Sequence, residues 1–279
     1  MNIALALHCS KVEREMNMKK IIVLLMMVLS IFGLASCTKG KSDLEKVQSN
    51  KVLYVGITIY EPMDYFDDDG ETIVGFDADL ANIFAESLGV KAKFVPIAWD
   101  SKVLELNGGY IDLIWNGMTA SDELGKKIDF SLAYATNYQC VVVKNEINQY
   151  TSITSLAGKK IAVEQGSAGD SVISDTNATI NRVQSQLDAL NEVLSGTSDC
   201  CVIDYTMAYS LVGKGTYQSL SIVDANKVSF EQEVFAVGLR QGSDLKAKLD
   251  AFLKTNYQNG KLDELALKYG VAINKDAFK

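Results

Sequence analysis

Short apolar segments alternate with longer amphipathic ones over most of the chain. Residues 52–59 read VLYVGITI, and residues 111–115 are apolar on both faces, as strands of a parallel sheet are. Between them, residues 77–89 carry apolar side chains at helical spacing, with Asp77 at the N-cap position and Gly89 at the end. Strand–helix–strand alternation of this kind predicts an α/β fold.

The alternation starts again in the middle of the chain. Strands are predicted at 139–144 and 200–203, a helix at 186–194, and a strand after residue 233 that leads into two terminal helices. Two α/β units without a long linker predict two lobes. Small ligands then bind between the lobes, at the carboxyl ends of the strands.

The N-terminus has the pattern of a signal peptide. Two lysines precede an apolar run at 21–34, and small residues and Cys37 follow. The run is about 14 residues long, shorter than the ~20 that span a bilayer, which predicts a cleaved leader at 1–36. Residues 34–37, LASC, resemble a bacterial lipobox and imply lipidation of Cys37, for example by palmitate. A free cysteine after an ordinary signal peptide is the alternative.

Two further features surround the leader. Mixed charge at 13–15 does not fit the start of a signal peptide, which suggests that residues 1–17 come from a mis-assigned start codon and that the chain begins at Met16 or Met18. The polar stretch that follows the leader, residues 37–50, predicts a flexible tether.

Composition excludes several classes of function. Without residues 1–36 the chain keeps 23 basic and 33 acidic residues, a net charge of −10, which argues against nucleic-acid partners. The single histidine, His8, lies in the leader, so the mature chain has no imidazole for general-base catalysis or for zinc. No cysteine pair has CxxC spacing, and no metal site or cofactor is expected. A disulfide from Cys140 to Cys200 or Cys201 stays open.

Three segments together resemble the polar amino-acid-binding proteins of ABC importers, the extracellular solute-binding proteins of family 3. The segments are GITIYEPMDY at 56–65 with GFDADL at 75–80, GMTASDE at 117–123 with DFS at 129–131, and GKKIAV at 158–163 with QGS at 165–167 and the stretch 196–204. Each motif alone is weakly specific. Their order and spacing cover nearly all of residues 51–279.

The resemblance implies a two-lobed periplasmic-binding-protein-like fold of type II with hinge-linked lobes. Lobe one would comprise residues 51–144 and 231–279, and lobe two residues 145–230, with crossings near 143–148 and 229–233. The expected protein is a monomer that binds a small polar, neutral or cationic amino acid on the outer face of the cell membrane. It would deliver the ligand to a permease and an ATPase, and it would not be an enzyme.

The resemblance also implies a set of ligand-binding residues. Tyr60 would stack on the ligand, Trp99 would form a wall, and Asp204 would accept the ligand's ammonium group. The remaining residues would supply donors for a carboxylate or border the strand-to-helix turn of lobe two: Asn116, Gly117, Thr119, Glu164, Ser167 and Ala168. A surface or core role is the alternative for Tyr60, Trp99 and Asp204.

One position departs from the family. The family places an arginine where this chain has Leu124, and leucine cannot hold a carboxylate in a bidentate fork. Recognition of a carboxylate would then depend on backbone amides and Thr119, or the ligand is not a standard α-amino acid. Glu164 beside Asp204 favours a neutral or cationic ligand over glutamate. The rival interpretations are a secreted dehydratase-like enzyme on the same fold and a ligand sensor for a membrane receptor.

Overall fold

The computed structural model describes residues 40–144 and 147–279. The leader at 1–36 and the predicted lipidation site Cys37 lie outside the described residues. Residues 42–279 form one compact unit, which is divided into two lobes, each with its own β-sheet. In the described residues, no helix is both long enough and apolar enough to cross a membrane.

Strands and helices alternate along this unit. The strands are β1 Val52–Ile57, β2 Tyr65–Phe66, β3 Ile73–Val74, β4 Lys91–Pro96, β5 Leu113–Ile114, β6 Asp129–Phe130, β7 Ala135–Val143, β8 Lys160–Glu164, β9 Thr179–Val183, β10 Cys200–Asp204, β11 Ser221–Ile222, β12 Gln232–Phe235 and β13 Gly238–Leu239. The α-helices are α1 Asp43–Asn50, α2 Phe76–Ser87, α3 Lys102–Asn107, α4 Asp122–Gly125, α5 Ala168–Val172, α6 Gln186–Ser195, α7 Tyr205–Leu211, α8 Leu245–Gln258 and α9 Lys261–Tyr269.

The sheet of lobe one has the order β4-β1-β5-β13-β6. Strand β1 is parallel to both of its neighbours, whereas β13 is antiparallel to β5 and β6. Leu53, Val55 and Ile57 of β1 are completely buried, which explains why this strand is apolar along its length. The two terminal helices pack their apolar faces, including Leu249 and Leu265, against the same core.

The sheet of lobe two has the order β11-β7-β10-β8-β9. Strand β10 runs parallel to β8 and antiparallel to β7. All five residues of β10 are buried. The last of them, Asp204, stands at the carboxyl end of this central strand. The fold therefore delivers this carboxyl group to the edge of the sheet where α/β proteins place their ligands.

Strand β7 connects the two lobes. Its first four residues, 135–138, pair with β12, and its last five, 139–143, pair with β10 in the sheet of lobe two. The sequence predicted only 139–144 as a strand and placed the crossing after it. The polar side chains of Thr136, Asn137 and Gln139 hide the beginning of the strand, because they interrupt the apolar pattern.

The predicted tether is wrong over its second half. Residues 43–50 form helix α1, whose capping box joins Ser42 and Glu45. Val47 is buried, and Asp43 forms an ion pair of 2.9 Å with Arg240. These contacts fix the helix to lobe one, and composition alone does not reveal them.

The predicted N-cap of α2 is also wrong. Gly75, with φ of 133°, takes the N-cap position, and a side chain there would meet the carbonyl of Met63 at 2.2 Å. Asp77 instead lies in the first turn with its carboxyl group buried. Gly89 ends the helix in the left-handed conformation, as the sequence predicts.

Cys140 forms no disulfide with Cys200 or Cys201. Cys140, Cys200 and Cys201 are free and buried. Cys200 and Cys201 lie opposite Val143 and Val142, so each is at least two residues out of register with Cys140. Such diagonal neighbours lie about 7–8 Å apart, which is beyond the reach of a disulfide.

Candidate functional site

A cavity of about 760 Å³ opens between the two lobes. Its walls come from the loops after β1 and β5, from α3 and α4, from the turn between β8 and α5, and from the ends of β10 and β12. All nine residues that the sequence predicts as a binding site line this one cavity: Tyr60, Trp99, Asn116, Gly117, Thr119, Glu164, Ser167, Ala168 and Asp204. Side chains separated by up to 144 positions in the sequence therefore meet in one place.

Asp204 is the most strongly held acid of the cavity. It is 4% exposed, and its Oδ1 accepts hydrogen bonds from Asn137 at 2.7 Å and from Gln139 at 2.6 Å. Its Oδ2 accepts a hydrogen bond from Gln186, whose own Oε1 accepts one from the Asp204 backbone amide. Burial raises the pKa of Asp204, and these hydrogen bonds oppose the rise because they stabilise the carboxylate.

Glu233 lies beside Asp204 and lines the cavity, although it is not among the binding residues that the sequence predicts. Its Oε1 accepts hydrogen bonds from the same two amides, Asn137 at 2.5 Å and Gln139 at 2.7 Å. Burial and the neighbouring Asp204 raise the pKa of Glu233 to about 7. No local motif marks this glutamate, because it reaches the cavity only through the pairing of β12 with β7.

Glu164 is a third acid of the cavity, and its carboxyl group has no hydrogen-bond partner among the described residues. It is 2% exposed, and burial, followed by the charge of Asp204, raises its pKa well above the ordinary value. Lys102 opposes this rise through its charge without forming a hydrogen bond to Glu164. A buried carboxyl oxygen with no partner indicates that a donor is missing from the cavity.

Tyr60 and Trp99 both form parts of the wall. Tyr60 is buried, packs edge-on against Phe235 and has a hydroxyl group without a well-formed hydrogen bond in the described part of the chain. Trp99 carries the ammonium of Lys102 4.7 Å from the centre of its ring. The same ammonium donates to the carbonyls of Trp99 and Gly166, both at 2.9 Å, so that it joins lobe one to lobe two across the cavity.

The predicted donors for a carboxylate are only partly free. The side-chain amide of Asn116 donates to the Thr58 carbonyl and to Asp64. The amide of Gly117 donates to Asp77 at 2.6 Å. Asn116 and Gly117 therefore line the cavity without a free donor, because buried acids behind the wall bind these groups.

Thr119 remains as a donor in lobe one. Its two neighbours pair with β12: the Ala120 amide donates to the Val234 carbonyl, and the Met118 carbonyl accepts from the Ala236 amide. The amide of Thr119 between them therefore points away from β12. Neither this amide nor the hydroxyl of Thr119 has a partner among the described residues. Thr119 can therefore bind an acceptor in the cavity with two donors.

The turn of lobe two offers a similar mixture. The Ser167 amide donates to the Glu164 carbonyl at 3.1 Å, and the Ser167 hydroxyl caps α5 by accepting from the Asp170 amide. The Ala168 amide has no partner in the described residues. Of the two amides that the sequence assigns to an anion, only that of Ala168 is free.

Gly117 is required where it stands. Its φ of 55° belongs to the left-handed region, and a Cβ atom would come within 2.7 Å of the Tyr60 ring. The glycine lets the loop after β5 approach Tyr60 and thereby shapes the wall of the cavity.

The charge of the cavity is strongly one-sided. Five carboxyl groups line it, those of Asp100, Glu123, Glu164, Asp204 and Glu233, but only two ammonium groups, those of Lys102 and Lys127. Lys102 is engaged by backbone carbonyls, and Lys127 forms an ion pair of 2.9 Å with Glu123. Leu124 also lines the cavity, and no arginine of the described residues does. No cation in the described part of the wall is thus free for an anionic ligand.

A cavity between two lobes, with buried acids and a tyrosine turned into it, defines a protein that encloses a small polar molecule. Within the described residues, no group of three or more potential metal ligands lies together.

The sequence family agrees with this class. The profile of the bacterial extracellular solute-binding proteins, family 3, matches residues 53–272, and the chain belongs to this family. The arginine-binding extracellular protein ArtP of Bacillus subtilis is 28% identical over 261 residues, which cover 90% of this chain and 98% of ArtP.

Solved structures have the same fold. A mutant of ArgBP from T. maritima is 30% identical, with a TM-score of 0.76 over 81% of this chain and 98% of that one. The ancestral amino acid-binding protein AncCDT-1, a precursor of cyclohexadienyl dehydratase, is 31% identical, with a TM-score of 0.75 over 82% of this chain and 99% of that one. The chain is therefore an extracellular solute-binding protein of the amino-acid-binding, two-lobed type.

Proposed function

We propose that this protein captures a cationic amino acid between its lobes and delivers it to the permease of an ABC importer. The observation that carries the proposal is the position of Asp204, a buried acid at the carboxyl end of β10 that faces the interlobe cavity. An ammonium group bound there gains a charge-assisted hydrogen bond in a site with little water. The excess of carboxyl groups around the cavity favours a second positive group on the ligand.

The other residues of the site have distinct roles in this proposal. Tyr60 stacks on the ligand, and Trp99 forms a wall of the cavity. Thr119 and the Ala168 amide bind the ligand's carboxylate by hydrogen bonds, because Leu124 cannot replace the arginine of the family. The names of ArtP and ArgBP support arginine as the first ligand to test.

Hinge closure is the proposed mechanism. The register of β7 favours a first crossing at 135–139, where the strand passes from β12 to β10, and a second through β12. Lobe one would then comprise residues 51 to about 138 and about 232–279. The boundary at 144 that the sequence predicts moves to about 138. A ligand that contacts both lobes shifts the population towards the closed form, which the permease recognises.

Calorimetric titration with the twenty amino acids tests the proposal. We expect L-arginine or L-lysine to bind most tightly, and L-glutamate to bind at least a hundredfold more weakly than the best ligand, because no free cation lines the cavity. Tight binding of glutamate would contradict the charge argument. Absence of binding to every amino acid would remove the importer role.

Anchoring at Cys37 is a separate part of the proposal, and its support comes from the sequence LASC at 34–37. Metabolic labelling with a palmitate analogue, followed by separation of membrane and soluble fractions, tests it. We expect label and membrane association in the wild type and neither in Cys37→Ser. A labelled, membrane-bound Cys37→Ser variant would exclude Cys37 as the anchor.

We further propose that the protein acts as a monomer and does not transform its ligand. A secreted dehydratase-like enzyme remains the second candidate, because acids with raised pKa values line the cavity and AncCDT-1 is described as a precursor of a dehydratase. Incubation of stoichiometric amounts of protein and ligand, followed by mass spectrometry, separates the two: unchanged ligand supports binding alone, and a new product supports the enzyme.

A further inference from the structure

Two carboxyl groups at the junction of the lobes share one pair of donors. The side-chain amide of Asn137 donates to Oδ1 of Asp204 and to Oε1 of Glu233, and the side-chain amide of Gln139 donates to the same two oxygens. Asn137 and Gln139 stand two positions apart on β7, so both face the same side of the strand. This arrangement holds the two carboxyl groups side by side, because Oδ1 of Asp204 and Oε1 of Glu233 are bound by the same two amides.

No cation compensates this pair. The other titratable groups that face it in the described residues are Tyr60, Glu164 and Cys140, and none of these is positively charged. The ammonium of Lys102 donates to the carbonyls of Trp99 and Gly166 and not to either acid of the pair. Two ionised carboxylates side by side in a largely buried place are unfavourable, so acids held in this way keep one proton between them.

Tyr60 and Glu164 line the same cavity as Asp204 and Glu233. The buried Oε1 of Glu164 lacks a hydrogen-bond partner among the described residues, and the buried hydroxyl of Tyr60 lacks a well-formed one. A positively charged donor placed among Tyr60, Asp204 and Glu233 would supply the charge that the pair lacks.

We propose that Glu233 is a second ligand-binding acid and that Asp204 and Glu233 together release one proton when a cationic group of the ligand binds to them. The proton leaves the shared O–H for solvent, the charge of the pair changes from −1 to −2, and the ligand's ammonium stays protonated. The inference rests on the proposed function, since it assumes a cationic ligand. Asn137 and Gln139 are positioning residues, because they hold both acids in place from the strand that joins the lobes.

Proton release is measured by calorimetric titration of L-arginine at pH 6.5 in two buffers with different enthalpies of ionisation. We expect the wild type to release about 0.5–0.8 proton per ligand, because burial holds the pKa of Glu233 near 7 in the empty cavity. We expect less than about 0.2 proton in Glu233→Gln. Glu86→Gln, an exposed position on α2, is the matched control and keeps the wild-type value.

The pH dependence of affinity gives a second readout. As the pH increases towards 7, the affinity of the wild type for L-arginine should rise about five- to tenfold per pH unit. Above pH 7 the affinity should level off. In Glu233→Gln this slope should vanish. Proton release or a slope that persists in Glu233→Gln would overturn the proposal.

Failure of the inference and failure of the proposed function are distinguishable. Tight binding of L-arginine without proton release leaves the function intact and overturns the inference. If L-arginine does not bind, the proposed cationic ligand fails, and the empty protein still tests the pair. Carboxyl ¹³C NMR should then show a Glu233 signal that titrates near neutral pH and moves to lower pH in Asp204→Asn. A Glu233 signal that titrates near pH 4 in the wild type would overturn the pair.

Discussion

Two pairs of acids in the described residues differ in their burial and in what surrounds them: one pair is completely buried, and the other joins the buried Asp204 to the partly buried Glu233. In lobe one, Asp64 and Asp77 are completely buried and do not line the cavity. At the junction of the lobes, Asp204 and Glu233 open onto the cavity. Burial raises the pKa of the carboxyl groups in both pairs.

The donors around the two pairs explain their different roles. Asp64 and Asp77 accept from Asn116, Gly117 and Tyr134, which ties the loop after β5 to the beginning of α2. The pair therefore shapes the wall of the cavity from behind. The acids of the second pair are held by amides from β7, which leaves their cavity side for a ligand. A raised pKa marks both pairs, but only access to the cavity indicates a binding site.

The largest effect is expected from Asp204→Asn. This variant removes the charge that meets the ligand's ammonium, and we expect the affinity for L-arginine to fall at least about thirtyfold, or about 2 kcal/mol. Calorimetric titration measures the change. Asp64→Asn removes a buried carboxyl group from the other pair and should change the affinity less than about threefold. Equal losses in the two variants would remove the distinction between the pairs.

The pair in lobe one should appear in the pH dependence of stability. Burial raises the pKa of Asp77 to about 7 in the folded protein, whereas an unfolded aspartate titrates near 4. Its contribution to stability is therefore complete below about pH 4 and is lost as the pH rises to 7, by up to about 1.4 kcal/mol per pH unit, because unfolding then releases a proton.

Chemical denaturation between pH 4.5 and 6.5 measures this slope. Asp77→Asn should make it shallower, and the exposed variant Asp68→Asn should keep the slope of the wild type. A slope that is unchanged in Asp77→Asn would show that Asp77 is ionised in the folded protein.

Leu124→Arg should raise the affinity for ligands that carry a carboxylate. A guanidinium group at this position can hold the carboxylate of an amino acid, and we expect L-arginine to bind about fivefold more tightly. Agmatine, which has the same guanidinium group but no carboxylate, is the matched ligand and should show no gain. An equal gain for both ligands would mean that Leu124 does not face the carboxylate.

The smallest effect is expected from Lys102→Met. This change removes the hydrogen bonds from the buried ammonium to Trp99 and Gly166 and thereby one link between the lobes. We expect the affinity for L-arginine to fall about threefold, because the closed form loses a contact that the open form lacks. Small-angle scattering should show a larger radius of gyration for the empty variant. Lys126→Met, an exposed neighbour of α4, is the control for loss of charge.

The sequence predicts the fold well where local signals decide it. Apolar runs mark β1, β8 and β10, and Gly89 and Gly196 end two of the helices that the periodicity predicts. Helix α1 escaped prediction because its partners, Arg240 and Asp244, lie about 200 positions away.

The residues of the cavity could be predicted from their motifs, but their availability for a ligand could not. Gly117 lies where the motif places it, yet its amide is bound by Asp77, 40 positions earlier. Glu233 has no motif and reaches the cavity through β12. Both facts depend on long-range pairing, which a pattern along one sequence does not encode.

The three free cysteines of the described residues can report on the unfolding of lobe two. Cys140, Cys200 and Cys201 lie on two adjacent strands of its sheet, and burial raises the pKa of each thiol, that of Cys200 to about 12. A maleimide reagent can reach these three thiols only in molecules in which this sheet has separated. The rate of labelling, with and without ligand, would therefore measure how often lobe two unfolds, and no engineered probe would be needed.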